Sequence, residues 1–208
     1  MNVYLLQGGP VLWAILALSA VIVLLIAQRA LFVHRSSLRG RDFLGGIINN
    51  LQRGNVMEAI ALCEDTPGPI PQMARAAILE LQQGGKRIGP VMHDVGVIEI
   101  ARLEKHLPLL LALAQTAPLL GLIGTCVGMW EMAAALQAQS PLVHAGDLGA
   151  GLSRALLTTI AGLSVGAVGW IGHAFIVTRV NAVVLEMERA YLEILQAVAQ
   201  LAGGSTES

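Results

Sequence analysis

Three long stretches of this chain carry no charged side chain, and a polypeptide has few ways to house that much apolar surface. The first runs from Met1 to Gln28 and is densest over Val11–Ala27. The second runs from Leu107 to Trp130, and the third from Ala155 to Thr178, interrupted only by His173. About 20 apolar residues at a rise of 1.5 Å each cross the hydrocarbon core of a bilayer, so all three qualify as spans. Apolar residues make up 55% of the 208 and charged residues 13%, against about 25% charged in ordinary soluble proteins. A lone soluble domain of this size cannot bury such a surface. The same numbers exclude disorder, and a net charge of −1 offers no basic face to nucleic acid. The first stretch could be a secretory signal instead. No basic residue precedes its apolar run and no cleavage site followed by a soluble domain is visible, so a retained helix is expected.

Positive charges set the expected orientation. Ten of the thirteen Lys and Arg residues lie in 29–106, including Arg29, Arg35, Arg39 and Arg41 directly after the first span, while 131–153 and the N-terminal leader hold none. Cationic loops stay on the cytoplasmic side. The expected organisation is therefore a first span over 1–29 with its N-terminus outside, a cytoplasmic helical segment over 30–106, and a second span over 107–135. A short periplasmic loop over 136–153, a third span over 154–178, and a cytoplasmic amphipathic helix and tail over 179–208 complete it.

No run alternates like a strand, so the fold is expected to be all-α, with the second and third spans extended into a helical cytoplasmic domain. Leu44, Ile47, Ile48 and Leu51 form a stripe that Arg53-Gly54-Asn55 breaks. Val56–Cys63 resumes the helical pattern until Thr66-Pro67-Gly68-Pro69 forces a turn. Ala74–Gln83 reads as a helix closed by Gly84-Gly85, and from Pro90 a single helix is expected to run into the second span. Beyond Arg179, Val180, Val183, Val184, Met187, Tyr191, Leu192 and Leu195 recur at steps of three and four among Glu186, Glu188, Arg189 and Glu193. That spacing predicts an amphipathic continuation of the third span, with 203–208 frayed.

Within the second span Gly121, Gly124, Thr125 and Gly128 share one helical face, as Ala155, Thr158, Thr159, Gly162, Gly166 and Gly169 largely do in the third. Small faces let helix backbones approach closely, and for any one glycine packing alone is the favoured reading. A sharper reading has two hydroxyl-bearing faces lining a central space that holds something from another chain. Threonine hydroxyls there could hydrogen-bond water or a protonated carboxyl group.

The strings APLLGLIGTCVGM (117–129) and RALLTTIAGL (154–163) resemble the MotA/TolQ/ExbB proton-channel family. The opening LLQGGPVLWAILALSAVIVLLIAQR and the segment LQRGNVMEAIALCEDTPGP look like its three-span ExbB/TolQ branch. The resemblance implies a ring, usually a pentamer, around two copies of a single-span partner similar to ExbD, TolR or MotB. The partner helix carries the proton-accepting aspartate. Proton flow across a bacterial inner membrane then drives motion that does work at the envelope, in which a TonB- or TolA-like protein can take part. The family's pore threonines fall on Thr125 and Thr159, with Thr158 beside them and Pro118 at a kink. Gly121, Gly124, Gly128, Gly162 and Gly166 make the small pore-side face. Two positions depart from the family pattern: Arg154 stands where a glutamate is frequent, and Gln28-Arg29 where Glu-Arg is frequent. The essential acid belongs to the partner, so the channel reading survives both.

Other candidates have plainer readings. Glu131 and Arg154 fit an interfacial ion pair or two solvated span ends. His173, six residues before Arg179, fits a water-facing position better than a relay. Trp13, Trp130 and Trp170 fit interface anchors or packing. Cys126 fits packing, and Cys63 and Cys126 lie too far apart in sequence to suggest a disulfide framework. His34, His93, His106 and His144 show no metal-binding spacing, and no enzyme motif or cofactor-binding string occurs. Two non-motor readings stand beside the channel. One is a non-conducting scaffold organising envelope partners; the other, a small secondary transporter, lacks the internal repeat it would need.

Overall fold

In a computed structural model the chain is all-α. The structure describes residues 9–37, 45–47, 49–50, 55–85, 87–138 and 145–204, and among these there is no strand. The helices are α1 (Gly9–Ser37), α2 (Val56–Asp65), α3 (Pro69–Gln82), α4 (Ile88–Glu104), α5 (Leu107–Ala138) and α6 (Ala145–Gly204). Three helical stretches are long and apolar enough to cross a membrane, within Gly9–Val33, Ile88–Gln137 and Leu148–Val198. Of the predicted features, Leu44, Ile48, Leu51, Arg53-Gly54, Arg39, Arg41, His144 and the end 205–208 lie outside the described residues.

The chain divides into two compact units. The first joins Met1–Arg29 to His106–Ile176, and the second joins Ala30–Lys105 to Val177–Ser208. In the first unit α1 buries Leu12, Ile15 and Ile22 and exposes Trp13, Val21, Val23 and Leu24. The buried positions fall at helical steps and form one face. Ile22 and Ile26 reach the places that side chains at Gly169 and Gly172 of α6 would occupy. Arg29 follows Ile22 by seven residues, stays on that face, and is only 8% exposed. α5 and α6 run antiparallel, since Ala114, Pro118, Gly121, Gly124 and Gly128 meet Gly169, Gly166, Gly162, Thr158 and Gly151 in reversed order.

The second unit packs like a soluble helical domain. Ala59 and Cys63 of α2, Ile70, Met73, Ala74, Ala77 and Ile78 of α3, and Ile88, Met92 and Leu103 of α4 are buried. From α6 the unit buries Val180, Val183, Met187, Ala190, Ile194 and Val198. This is the amphipathic continuation expected from the sequence, shifted slightly: Leu192 falls off the stripe and is exposed. Pro69 opens α3, where its missing N–H costs nothing and its fixed φ suits a helix, so α3 starts five residues before the expected Ala74. Its far end closes as the glycine pair predicts. Gly85 N donates to Glu80 O and Gly84 N to Leu81 O, with Gly84 at φ 114°, the paired bonds of a Schellman cap. Beside the Arg75–Glu64 ion pair (2.7 Å), burial pushes the Cys63 thiol up to about 11, with Arg75 easing and Glu64 adding to the shift. The thiol is therefore protonated and unreactive at neutral pH.

One expectation needs correcting. The single helix expected from Pro90 into the second span is broken at Lys105–His106, where His106 takes φ 84°. Pro108 supplies the cause: a proline inside a helix has no N–H for the carbonyl four residues back and its ring collides with that carbonyl, here that of Glu104. α5 restarts with Pro108 in its first turn. At the other end of the chain α6 continues to Gly204, two residues into the expected frayed end.

Candidate functional site

The site grows from the close approach of α5 and α6 in the first unit. Thr158 is 1% exposed, and a side chain on Gly124 would begin 2.5 Å from its Cβ and Oγ1. Its hydroxyl donates within its own helix, to Arg154 O and Ala155 O, each at 3.0 Å. Gly166 holds the ring of Pro118, whose Cγ and Cδ lie 2.7 and 2.8 Å from where its Cβ would be. Gly121 and Gly128 likewise face the backbone of α6. The five glycines that the sequence places on a small face are thus engaged by the neighbouring helix of the same chain.

That approach brings Thr125 and Thr159 together. Their hydroxyls hydrogen-bond to each other. Thr125 Oγ1 also lies 3.1 Å from Gly121 O, and Thr159 Oγ1 lies 2.9 Å from Ala155 O. Both residues are half-buried at the edge of the contact. A hydroxyl has one proton and two lone pairs. Each proton here has a carbonyl or the other hydroxyl to bond, so the pair keeps lone pairs able to accept a further hydrogen bond. It suits a hydrogen-bond donor such as water or a protonated carboxylic acid.

Glu131 and Arg154 also meet: Arg154 Nη1 donates to Glu131 Oε2. His173 is half-buried, Cys126 is exposed, and Trp13, Trp130 and Trp170 stand outward, Trp130 the most at 76% exposed. Among the described residues no group of three or more His, Cys, Asp or Glu could hold a metal ion. Sequence reasoning missed two features. Arg29 is buried, which its place seven residues after Ile22 could have signalled. A cavity of about 420 Å³ in the second unit lies among Met73, Gly96, Ile100, Val184, Met187 and Tyr191. No single stretch of sequence marks it, because three helices contribute.

Three helices long and apolar enough to cross a membrane make this a multi-pass α-helical membrane protein, with a hydroxyl pair set between two of them. The sequence pattern of the MotA/TolQ/ExbB proton channel family matches residues 68–189, more than half of the chain, and the chain belongs to that family. It is 22% identical over 176 residues to a putative biopolymer transport protein ExbB homolog of Methanothermobacter thermautotrophicus, covering 84% of this chain and 62% of that protein. Against the putative biopolymer transport protein ExbB-like 3 of Synechocystis sp. identity is 26% over 162 residues, 77% of each chain. Against the biopolymer transport protein exbB1 of Vibrio cholerae it is 28% over 160 residues, 76% of this chain and 70% of the other. The chain thus spans less than two thirds of the archaeal relative's length.

Proposed function

We propose that this chain is the proton-channel subunit of an ExbB/TolQ-like motor in a bacterial inner membrane. Copies form a ring, five in number, around a dimer of a single-span ExbD/TolR-like partner. The assembly converts proton motive force into work at the envelope through a TonB- or TolA-like protein. The observation that carries this reading is the half-buried Thr125–Thr159 hydroxyl pair, which keeps lone pairs for a hydrogen-bond donor between two largely apolar helices. An aspartate at the bilayer centre costs about 2.5–3.5 kcal/mol on the insertion scale, so it needs protonation or polar neighbours. The hydroxyl pair suits the protonated acid. Each proton crossing the field supplies roughly 2.3 kcal/mol per 100 mV, comparable to the cost of moving that acid between two environments.

Two expected results test this reading. One copy cannot enclose a partner dimer, so native mass spectrometry of the detergent-solubilised protein should give a closed ring of five. A stable monomer, with or without partner, would overturn the ring. In a chain with Cys63 and Cys126 changed to serine, Gln137→Cys should react with an impermeant thiol reagent applied outside the cell. Gln82→Cys should not. The opposite pattern would overturn the orientation taken from the positive charges.

One observation favours a second reading. The glycine faces are engaged within the chain, which is all that a non-conducting scaffold would require of them. A scaffold would use the hydroxyl pair only as a tie between helices, so loss of both hydroxyls with the assembly intact separates the two readings.

A further inference from the structure

Glycine faces pack tightly but specify position weakly. Smooth small-residue surfaces in an apolar setting gain van der Waals contact, and neighbouring registers offer much of the same contact. Two polar ties cross from α5 to α6 along one stretch of antiparallel packing. One is the Thr125–Thr159 hydrogen bond; the other is the Arg154–Glu131 ion pair. Glu131 follows Thr125 by six residues and Arg154 precedes Thr159 by five, so the ties bracket the contact of Gly128 with Ala155, and the contact of Gly124 with Thr158 adjoins the first of them. The Arg154 stem also lies beside the start of α1, its Cδ and Nε 3.7 Å from where a Cβ on Gly9 would be. The same turn of α6 links the ties internally, since the Arg154 and Ala155 carbonyls accept from Thr158 and Thr159.

We propose that Arg154 and Glu131 are positioning residues: their ion pair fixes the register of α6 on α5 and so holds the Thr159 hydroxyl on that of Thr125. A guanidinium facing a carboxylate is directional, with donors fixed in a plane. The pair is half-exposed, with side-chain exposures of 31% for Arg154 and 43% for Glu131, and lies where the apolar stretch of α5 gives way to its first charge. Sliding α6 by one turn, about 5.4 Å along its axis, would part the two charges. The register claim stands on the packing alone; its consequence for proton transfer rests on the function proposed above.

The test reads register directly. In the chain with Cys63 and Cys126 changed to serine, Thr125→Cys and Thr159→Cys are introduced, and the rate of intrachain disulfide formation under mild oxidant is followed in lipid vesicles. The parent should cross-link readily. Arg154→Gln and Glu131→Gln should each slow the reaction about fivefold, the upper end for a partly exposed ion pair that loses one partner. Arg154→Lys should keep most of the rate. The exchanged pair, Arg154→Glu with Glu131→Arg, should recover to within about twofold of the parent, which general damage to the fold could not produce. An unchanged rate in Arg154→Gln, or an exchanged pair as slow as the single variants, would overturn the proposal. With both threonines present, Arg154→Gln should lower proton uptake and the exchanged pair restore it. If threonine removal leaves proton uptake intact, the proton path fails while the cross-linking result still decides the register.

Discussion

Replacing Thr125 and Thr159 together by valine is expected to abolish proton-driven work while the chain still folds and assembles. Valine matches the shape of threonine and lacks its hydroxyl. The hydroxyls bond each other and the carbonyls of Gly121 and Ala155, and those carbonyls are helical and keep their backbone partners. Removing both members of a hydrogen-bonded pair leaves no orphan and can be nearly neutral for stability. A partner's protonated acid, by contrast, would face hydrocarbon at that point, and a buried polar group without a partner costs at least about 1–3 kcal/mol. That is roughly a five- to 150-fold loss in the population of the state that carries the proton. Each single variant should be milder, because the remaining hydroxyl still presents a lone pair. Proton uptake by vesicles holding chain and partner, measured alongside the mass of the assembly, checks both halves. Full uptake in the double variant would sink the proposed path and leave the helix pair as packing only.

Much of this arrangement is visible in the residues, and the limits are physical. Span positions follow from uncharged length, because a bilayer sets one thickness for every helix that crosses it. The Schellman cap at Gly84-Gly85 follows from local chemistry, since φ 114° is open to glycine. The break at His106 is of the same local kind, and Pro108 announces it; apolar periodicity carries the eye past the proline. The threonine pairing is different. Sequence places Thr125 and Thr159 each on a small face, but three threonines stood as candidates and nothing local separates Thr158 from Thr159. Packing separates them: Thr158 turns into Gly124 and bonds its own helix, while Thr159 sits at the rim and meets Thr125. For Arg154 and Glu131 the residues allow either an interfacial ion pair or two solvated span ends, and the antiparallel register decides for the pair. Such contacts depend on residues far apart in the chain, which periodicity does not encode.

Gly162 should tolerate no side chain, and Gly149 on the same helix should tolerate one freely. A Cβ on Gly162 would lie 2.7 Å from Ala117 O, 2.8 Å from Gly121 Cα and 2.9 Å from Gly121 N. All three are backbone atoms of α5, so no rotamer change relieves the contact and the helices must separate. Overpacking of this kind costs about 1–3 kcal/mol for one added methyl, and Gly162→Val should cost more, since its branched carbons meet the same backbone. Separation would also part the Thr125 and Thr159 hydroxyls, so proton uptake should fall together with stability. A Cβ on Gly149 meets nothing within 4 Å in the chain. Alanine there gains up to about 1 kcal/mol of helix propensity over glycine, so Gly149→Ala should hold or raise the midpoint of thermal unfolding in detergent. Gly124→Ala belongs with Gly162→Ala, because a Cβ there would lie 2.5 Å from the Cβ of Thr158, which is buried and moves only with the α6 backbone. The ordering that places Gly149→Ala above both Gly124→Ala and Gly162→Ala in stability is the checkable result. Equal midpoints for Gly149→Ala and Gly162→Ala would mean that the α5–α6 backbone contact does not hold the pair, and the register argument for the hydroxyls would fall with it.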